Sequence, residues 1–446
     1  MHAALDAALV EWIAAATGGK VTRLERALAR REAWLVDVER PGAAPLELFL
    51  RIAHAGDPAN SRAALEKETR VVRALAGTGV PVPAVVAVEP QTHAVLFERV
   101  GGRTDLHATP PEEQDAVYRH YLEVLASLHR LDPGSLALGE LAPPADARAC
   151  AMAEVEALAA GLAGQGPQPV ARFGIAWLRR HAPARVERVA LLHGDAGIAN
   201  FLFAQGRVTA AIDWEWAHQG DPMEDLGSLC IHASFSPSGD WPALLPHYAR
   251  ASGIPVELDK ILYYRVHNLA RSVLALAPIR ARLHARDPVA LNLCFALQCD
   301  RMLCEAIAEA MGIALERPAL PEPPAETTLY DVVAENLRDD VAPAVEGGFA
   351  SDRLRTAVLL VETLARRHAL GAGSEREELD ELGALLGSRP RDLASGHGAL
   401  DDAIARDDGR REAEILRALA RIAYRAEAIA APVVSLFPGA RLRPVA

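Results

Sequence analysis

Lysine is nearly absent from this chain. It occurs only at Lys20, Lys67 and Lys260, so arginine carries almost all the positive charge. An arginine at a position where other proteins use lysine is therefore a matter of composition. Aromatic residues make up only 5% of the 446 residues, and Ala, Leu and Val carry most of the apolar load. The formal net charge is -12, which argues against a uniform nucleic-acid-binding surface, because phosphate backbones demand clustered cations. The cysteines are Cys150, Cys230, Cys294, Cys299 and Cys304. None forms a C-x-x-C pair, and the last three, spaced by five, fall on different faces of a helix. Buried free thiols in a reducing compartment are expected, not a zinc site or disulfides. The opening "MHAALDAALVEW" lacks a basic leader and reads as an amphipathic helix. No apolar run reaches the roughly 18–20 residues needed to span a bilayer. A soluble, cytoplasmic chain with no membrane and no nucleic-acid partner is expected.

What is present divides the chain in three. Residues 1–100 read as mixed α/β. "AWLVDVE" (33–39) and "LELFLRI" (46–52) are strand-like, and "RPGAAP" connects them as a hairpin. A helix follows over "SRAALEKETRVVRALAGTG", with Ser61 as candidate N-cap and Gly77 as candidate stop. "VPVPAVVAVEP" and "HAVLFERVGG" supply two more strands. The order strand, strand, helix, strand, strand fits a small sheet with one packed helix. Residues 101–318 turn mainly helical. Helices are expected over "EEQDAVYRHYLEVLASLHRL" and near 145–163, 169–181, 222–232, 241–252, 258–276 and 286–312. "ERPALPEPPAETT" (316–328) is rich in proline and acid and reads as a linker. Residues 326–446 form a smaller, charged, all-α domain. It suits a lid, a homodimerisation element or a docking module equally.

One segment interrupts the helical region. "LLHGDAGIAN" (191–200) runs an apolar strand into Asp195, and Asn200 follows five residues later. Taken alone, it reads equally as a turn built from turn formers or as a site. Short apolar runs "FLF" and "VTAAI" around "QGR" then form a hairpin that delivers Asp213 to a strand end. Mg²⁺ prefers a few hard oxygen ligands and fills its other positions with water and substrate phosphates. Asn200 and Asp213 supply such a pair. Asp195 is left to face a substrate hydroxyl.

The stretch "LLHGDAGIANFLF … AAIDWEWAHQGDPMEDL" resembles the aminoglycoside phosphotransferase-type small-molecule kinases, relatives of the protein kinases. That family's ordered elements are here His193-Gly194-Asp195, Asn200, Ile212-Asp213-Trp214 and Gly220-Asp221-Pro222 to Asp225-Leu226. The resemblance implies an α+β, bilobal protein-kinase-like fold. Its N-lobe has an antiparallel sheet plus a helix, its C-lobe is mainly helical, and a small all-α domain follows. It further implies an ATP- and Mg²⁺-dependent phosphotransferase acting on a hydroxyl of a small molecule. Asp195 would accept the hydroxyl proton, and Asn200 and Asp213 would hold Mg²⁺. Phosphoryl transfer asks mainly for positioning and charge neutralisation. His193 is expected to scaffold the loop, and Asp221 and Asp225 to cap the next helix or brace the loop.

The family also needs an N-lobe cation for the phosphates. Alternation puts Arg51 on one strand face with Glu47 and Phe49, and Glu68 on the helix is its expected partner. Lys67 is the competitor, but it points about 100° away from Glu68. "VLFERVGG" resembles the hinge between lobes, which would place adenine against backbone groups of Glu98 and Val100. The phosphate-covering loop is glycine-poor, since "RALARREAW" stands where relatives carry glycine and serine. "TGVPVP" and "VLFERVGG" resemble the relatives attached to acyl-CoA dehydrogenases more than the resistance enzymes, which favours a metabolic hydroxyl compound over an antibiotic. Trp241, His267, Asn268 and Arg271 are candidates for lining the acceptor cleft, with ordinary packing as the competing reading. The alternative function is a nucleotide-binding pseudokinase or regulator that grips a partner through the C-terminal helices.

Overall fold

The computed structural model describes residues 5–27, 32–53, 58–89, 91, 93–235, 239–284, 287–320, 322–323, 326–345 and 348–445. In chain order the elements are α1 (Ala7–Thr17), β1 (Lys20–Arg26), β2 (Ala33–Arg40), β3 (Ala43–Ile52), α2 (Pro58–Leu75), β4 (Val85–Glu89), β5 (Ala94–Glu98) and α3 (Pro111–Arg130). Next come α4 (Ala147–Ala160), α5 (Pro169–His181), β6 (Ala190–Leu192), β7 (Phe201–Ala204), β8 (Arg207–Ala211), β9 (His218–Gly220), α6 (Met223–His232) and α7 (Trp241–Ser252). The chain ends with α8 (Leu258–Ala281), α9 (Val289–Ala310), α10 (Leu329–Glu335), α11 (Gly348–Leu386), α12 (Leu393–Arg406), α13 (Glu412–Ile429) and α14 (Ala431–Val434). By compactness these fall into two units. One comprises residues 1–144 and 187–256, the other 145–186 and 257–445.

In the first unit, β1 to β5 form one antiparallel sheet in the order β1-β2-β3-β5-β4. Alternation along β2 and β3 sends Trp34, Val36, Val38, Leu48 and Leu50 into a core with Leu96 of β5. Leu9 and Ile13 of α1 close that core from above the sheet. Strand β1 and helix α1 extend the four-strand arrangement expected from sequence. The β1 sequence KVTRLER is mostly exposed, as befits an edge strand, so its apolar signal is weak. The β2–β3 connection is tighter than expected, a two-residue Pro41-Gly42 turn with Gly42 at φ +72°. Ser61 is a correction. Helix α2 begins at Pro58, whose fixed φ suits the first helical turn, so Ser61 lies inside the helix and not at its cap. Gly77, at φ +80°, follows the helix end as expected.

Strands β7 and β8 form the expected hairpin. Its turn residues Gln205 and Gly206 both have positive φ, 51° and 74°, the geometry that matches strand twist. Helix α3 braces this hairpin. Glu113 accepts the Gly206 N–H at 3.1 Å, and His120 Nδ1 accepts the Val208 N–H at 2.9 Å. Strands β6 and β9 pair antiparallel beside it.

The second unit is helical. Helix α11 runs unbroken for 39 residues through "GAGSEREELDELGALL", a stretch whose glycines hide its helical character in the sequence. Buried arginines pin the C-terminal segment. Arg301 donates to the Ala440 carbonyl and Arg265 to the Arg443 carbonyl, each at 2.8 Å. The described part of 316–328 carries no helix or strand. All five cysteines are buried and none is in a disulfide, and burial pushes the Cys294 thiol up to about 12. Among the described residues, no helix is long and apolar enough to cross a membrane.

Candidate active site

Strand β6 ends at Leu192, and the chain then turns sharply through His193. Gly194 sits at φ +79°, and a Cβ there would lie 2.1 Å from the Trp216 carbonyl oxygen, so only glycine fits. The turn is held from beneath by Asp225 of α6. Its two carboxylate oxygens accept the N–H groups of His193 and Gly194, each at 2.9 Å. Asp225 is fully buried and also accepts from His129 Nε2 of α3 at 3.0 Å. Burial alone would raise its pKa, but the His129 hydrogen bond and charge and the loop N–H of His193 outweigh burial and hold it below the usual carboxylate range. His129 Nδ1 is in turn 2.8 Å from the Tyr248 hydroxyl of α7. Asp221 has a different task. Its Oδ1 accepts the Met223 N–H at 3.0 Å, in the first turn of α6.

His193 ties the loop after β6 to the residue that follows β8. Its Nε2 donates to the Ile212 carbonyl at 3.0 Å, which leaves Nδ1 to accept the Asp195 N–H at 3.4 Å. Its ring packs on Trp214 with centroids 4.5 Å apart.

Asp195 and Asn200 meet directly. Asn200 Nδ2 donates to both the main-chain oxygen and Oδ2 of Asp195, each at 2.8 Å. The Asp195 side chain stays one-third exposed (33%), and its other oxygen, Oδ1, lies 3.2 Å from His232 Nε2. Asp213 follows β8 in the left-handed conformation, φ +66° and ψ +57°, unusual for a residue with a side chain. A backbone bond from the Ile212 N–H to the Asn200 carbonyl (2.9 Å) locks the segments carrying Asn200 and Asp213 together.

The N-lobe cation reaches Asp213. Arg51 Nη1 on β3 donates to Glu68 Oε1 of α2 at 3.0 Å and to Asp213 Oδ1 at 3.2 Å. Burial disfavours the Arg51 cation, but the two carboxylates more than offset this and raise its pKa. Lys67 neighbours Glu68 on α2, and Arg51 reaches both Glu68 and Asp213. At the end of β5 the Glu98 N–H already donates to the Ala84 carbonyl at 2.8 Å. Among the described residues, Val100 makes no backbone hydrogen bond. Residues 28–31 of the glycine-poor loop lie outside the described residues.

The profile of the phosphotransferase enzyme family matches residues 20–264, more than half of the chain. The chain belongs to this family. The chain matches mouse acyl-CoA dehydrogenase family member 10 at 29% identity over 212 residues, 43% of this chain and 19% of that protein. The chain thus spans about a fifth of that relative's length. Among solved structures, a candidate aminoglycoside phosphotransferase from Ralstonia eutropha superposes with a TM-score of 0.53 at 22% identity, covering 69% of this chain and 98% of that one. The choline kinase LicA from Streptococcus pneumoniae superposes at 0.51 with 17% identity, covering 68% and 98%. These likenesses show the fold. The chain is α+β and bilobal like a protein kinase, with a sheet-and-helix N-lobe, a mainly helical C-lobe and further helices after it.

Two residues at the site carry no signal in the sequence. His232 follows Asp195 by 37 residues and His129 precedes Asp225 by 96. Neither distance is a local spacing that periodicity could detect. Of the residues offered as cleft lining, Trp241 is buried and packs edge-on against Tyr118, with centroids 5.8 Å apart. His267, Asn268 and Arg271 are buried within the second unit, where Arg271 pairs with Glu154 at 2.9 Å.

Proposed function

We propose that this phosphotransferase is a small-molecule kinase. It transfers the γ-phosphate of ATP to a hydroxyl group, with Mg²⁺ as the divalent ion. Two hydrogen-bonded groups, Arg51 with Glu68 and Asp213, and Asn200 with Asp195, on segments joined by the bond from the Ile212 N–H to the Asn200 carbonyl, carry this reading. The donor set fits Mg²⁺. Asp213 offers a partly exposed carboxylate, and Asn200, whose amide nitrogen is committed to Asp195, offers its amide oxygen. Bound there, Mg²⁺ would neutralise charge on the ATP phosphates. Arg51, pre-oriented by Glu68, would donate to phosphate oxygens from its planar guanidinium. Glu98 and Val100 would face adenine. Val100 N–H is the donor suited to it, because the Glu98 N–H is taken by Ala84.

Asp195 accepts the proton. As the acceptor's O–H bond breaks, its oxygen forms a bond to the γ-phosphorus, and the bond from that phosphorus to the ADP oxygen breaks. Asn200 holds the carboxylate toward the acceptor throughout, which supplies orientation in advance. The likeness to acyl-CoA dehydrogenase family proteins supports a hydroxylated metabolite over an antibiotic. The buried cysteines, all outside disulfides, support a reducing, cytoplasmic location.

The test is ADP formation from Mg²⁺-ATP across a panel of hydroxylated metabolites. Asp195→Asn is expected to lower turnover by roughly 10²–10⁴-fold, the usual worth of a general base, with nucleotide binding nearly unchanged. Undiminished turnover in that variant would overturn the assignment.

A further inference from the structure

We propose that His232 is a positioning residue for Asp195, holding its carboxylate in the orientation that accepts the hydroxyl proton. This rests on the kinase reading above. Asp195 Oδ2 is held by Asn200 at 2.8 Å and Oδ1 by His232 Nε2 at 3.2 Å. With a donor on each oxygen, the carboxylate cannot rotate about its χ2 bond without breaking one of them. A single donor would leave that torsion broad.

Two further observations show that the fold makes room for this contact. The first is Gly197, in the loop between Asp195 and Asn200. Its φ of -164° is extended backbone that any residue adopts, so conformation does not demand glycine. Space does. A Cβ at Gly197 would lie 2.1 to 2.4 Å from His232 Cγ, Nδ1 and Cδ2, so the imidazole occupies the volume a side chain would fill. The second is helix α6. It carries Asp225, which holds the backbone of His193 and Gly194, and it ends at His232, seven residues later. Seven residues make two helical turns, so both side chains leave the same face. One helix thus fixes the backbone of the loop and the side chain that would do its chemistry.

The kinetic test uses His232→Leu and His232→Gln, because glutamine can place an N–H near the position of Nε2. His232→Leu is expected to lower kcat roughly 10- to 100-fold, the scale of a misoriented reacting group, with KM for ATP within about twofold. His232→Gln is expected to recover most of the loss. A leucine variant with wild-type kcat, or a glutamine variant as impaired as leucine, overturns the proposal while leaving the kinase reading intact. Wild-type turnover no higher than that of Asp195→Asn overturns the kinase reading, and this proposal with it. A second measurement does not depend on activity. In nucleotide-free protein labelled with ¹⁵N-histidine, the His232 Nε2–H signal is expected to be protected from solvent exchange and to lose that protection in Asp195→Ala. A signal indifferent to Asp195→Ala also overturns the proposal.

Discussion

Asp225 shows how much of the site depends on a group that touches no reactant. It is fully buried, and it satisfies two loop N–H groups and His129 at once. Its pKa is held below the ordinary aspartate value by those partners. A carboxyl depressed in the folded state contributes stability above its unfolded pKa and loses it as pH falls through the folded one. The stabilisation from Asp225 is therefore complete at neutral pH and fades below about pH 4. Asp225→Asn is expected to destabilise the first unit by about 3–5 kcal/mol at pH 7, the cost of breaking a buried pair by removing one partner. The same variant should show a shallower loss of stability on acidification. Denaturant unfolding at pH 7 and at pH 3.5 checks both, and a variant with the wild-type acid limb would remove Asp225 as its source.

At the scale of elements, the β7–β8 hairpin sets the separation of Asn200 and Asp213, and its turn sets the hairpin. Gly206 at φ +74° has Ala116 of α3 only 3.3 Å from where a Cβ would stand. Gly206→Val should cost more than the roughly 1–2 kcal/mol of left-handed backbone strain, because the branched side chain also presses on α3. Gly42 in the β2–β3 turn has a similar φ of +72° and nothing within 4 Å, so Gly42→Val reports the backbone cost alone. Thermal unfolding of the two variants side by side gives the steric difference. Equal losses would mean that α3 does not brace the hairpin.

For the whole molecule, the described part of the segment after α9 carries no helix or strand, which opens it to proteolysis. Arg317 is tied down by Glu305 at 3.2 Å and by stacking over Tyr424 at 4.7 Å, so the start of 316–328 is anchored. Glu326 is exposed and belongs to no helix or strand. A glutamate-specific protease should therefore cut first after Glu326, before the exposed glutamates held within helices. Mass spectrometry of the first fragments tests this, and an earlier cut within α11 would show that the long helix opens more readily than the linker.

The sequence by itself determined the parts of this protein that local spacing encodes. His193, Asp195, Asn200 and Asp213 lie within 21 residues, where strand ends and a short turn dictate which side chains emerge together. The period of α5 and α7 likewise placed both helices at their observed bounds. The edge strand β1 and the continuity of α11 were not legible, because an exposed strand needs few apolar residues and a helix stabilised by packing tolerates glycine. Only the tertiary structure decided that His129 underlies Asp225, that Arg51 reaches Asp213 across 162 residues, and that His232 fills the space left by Gly197. These contacts form when separate helices and strands pack, and no periodicity along the chain records which distant side chains that packing will bring together.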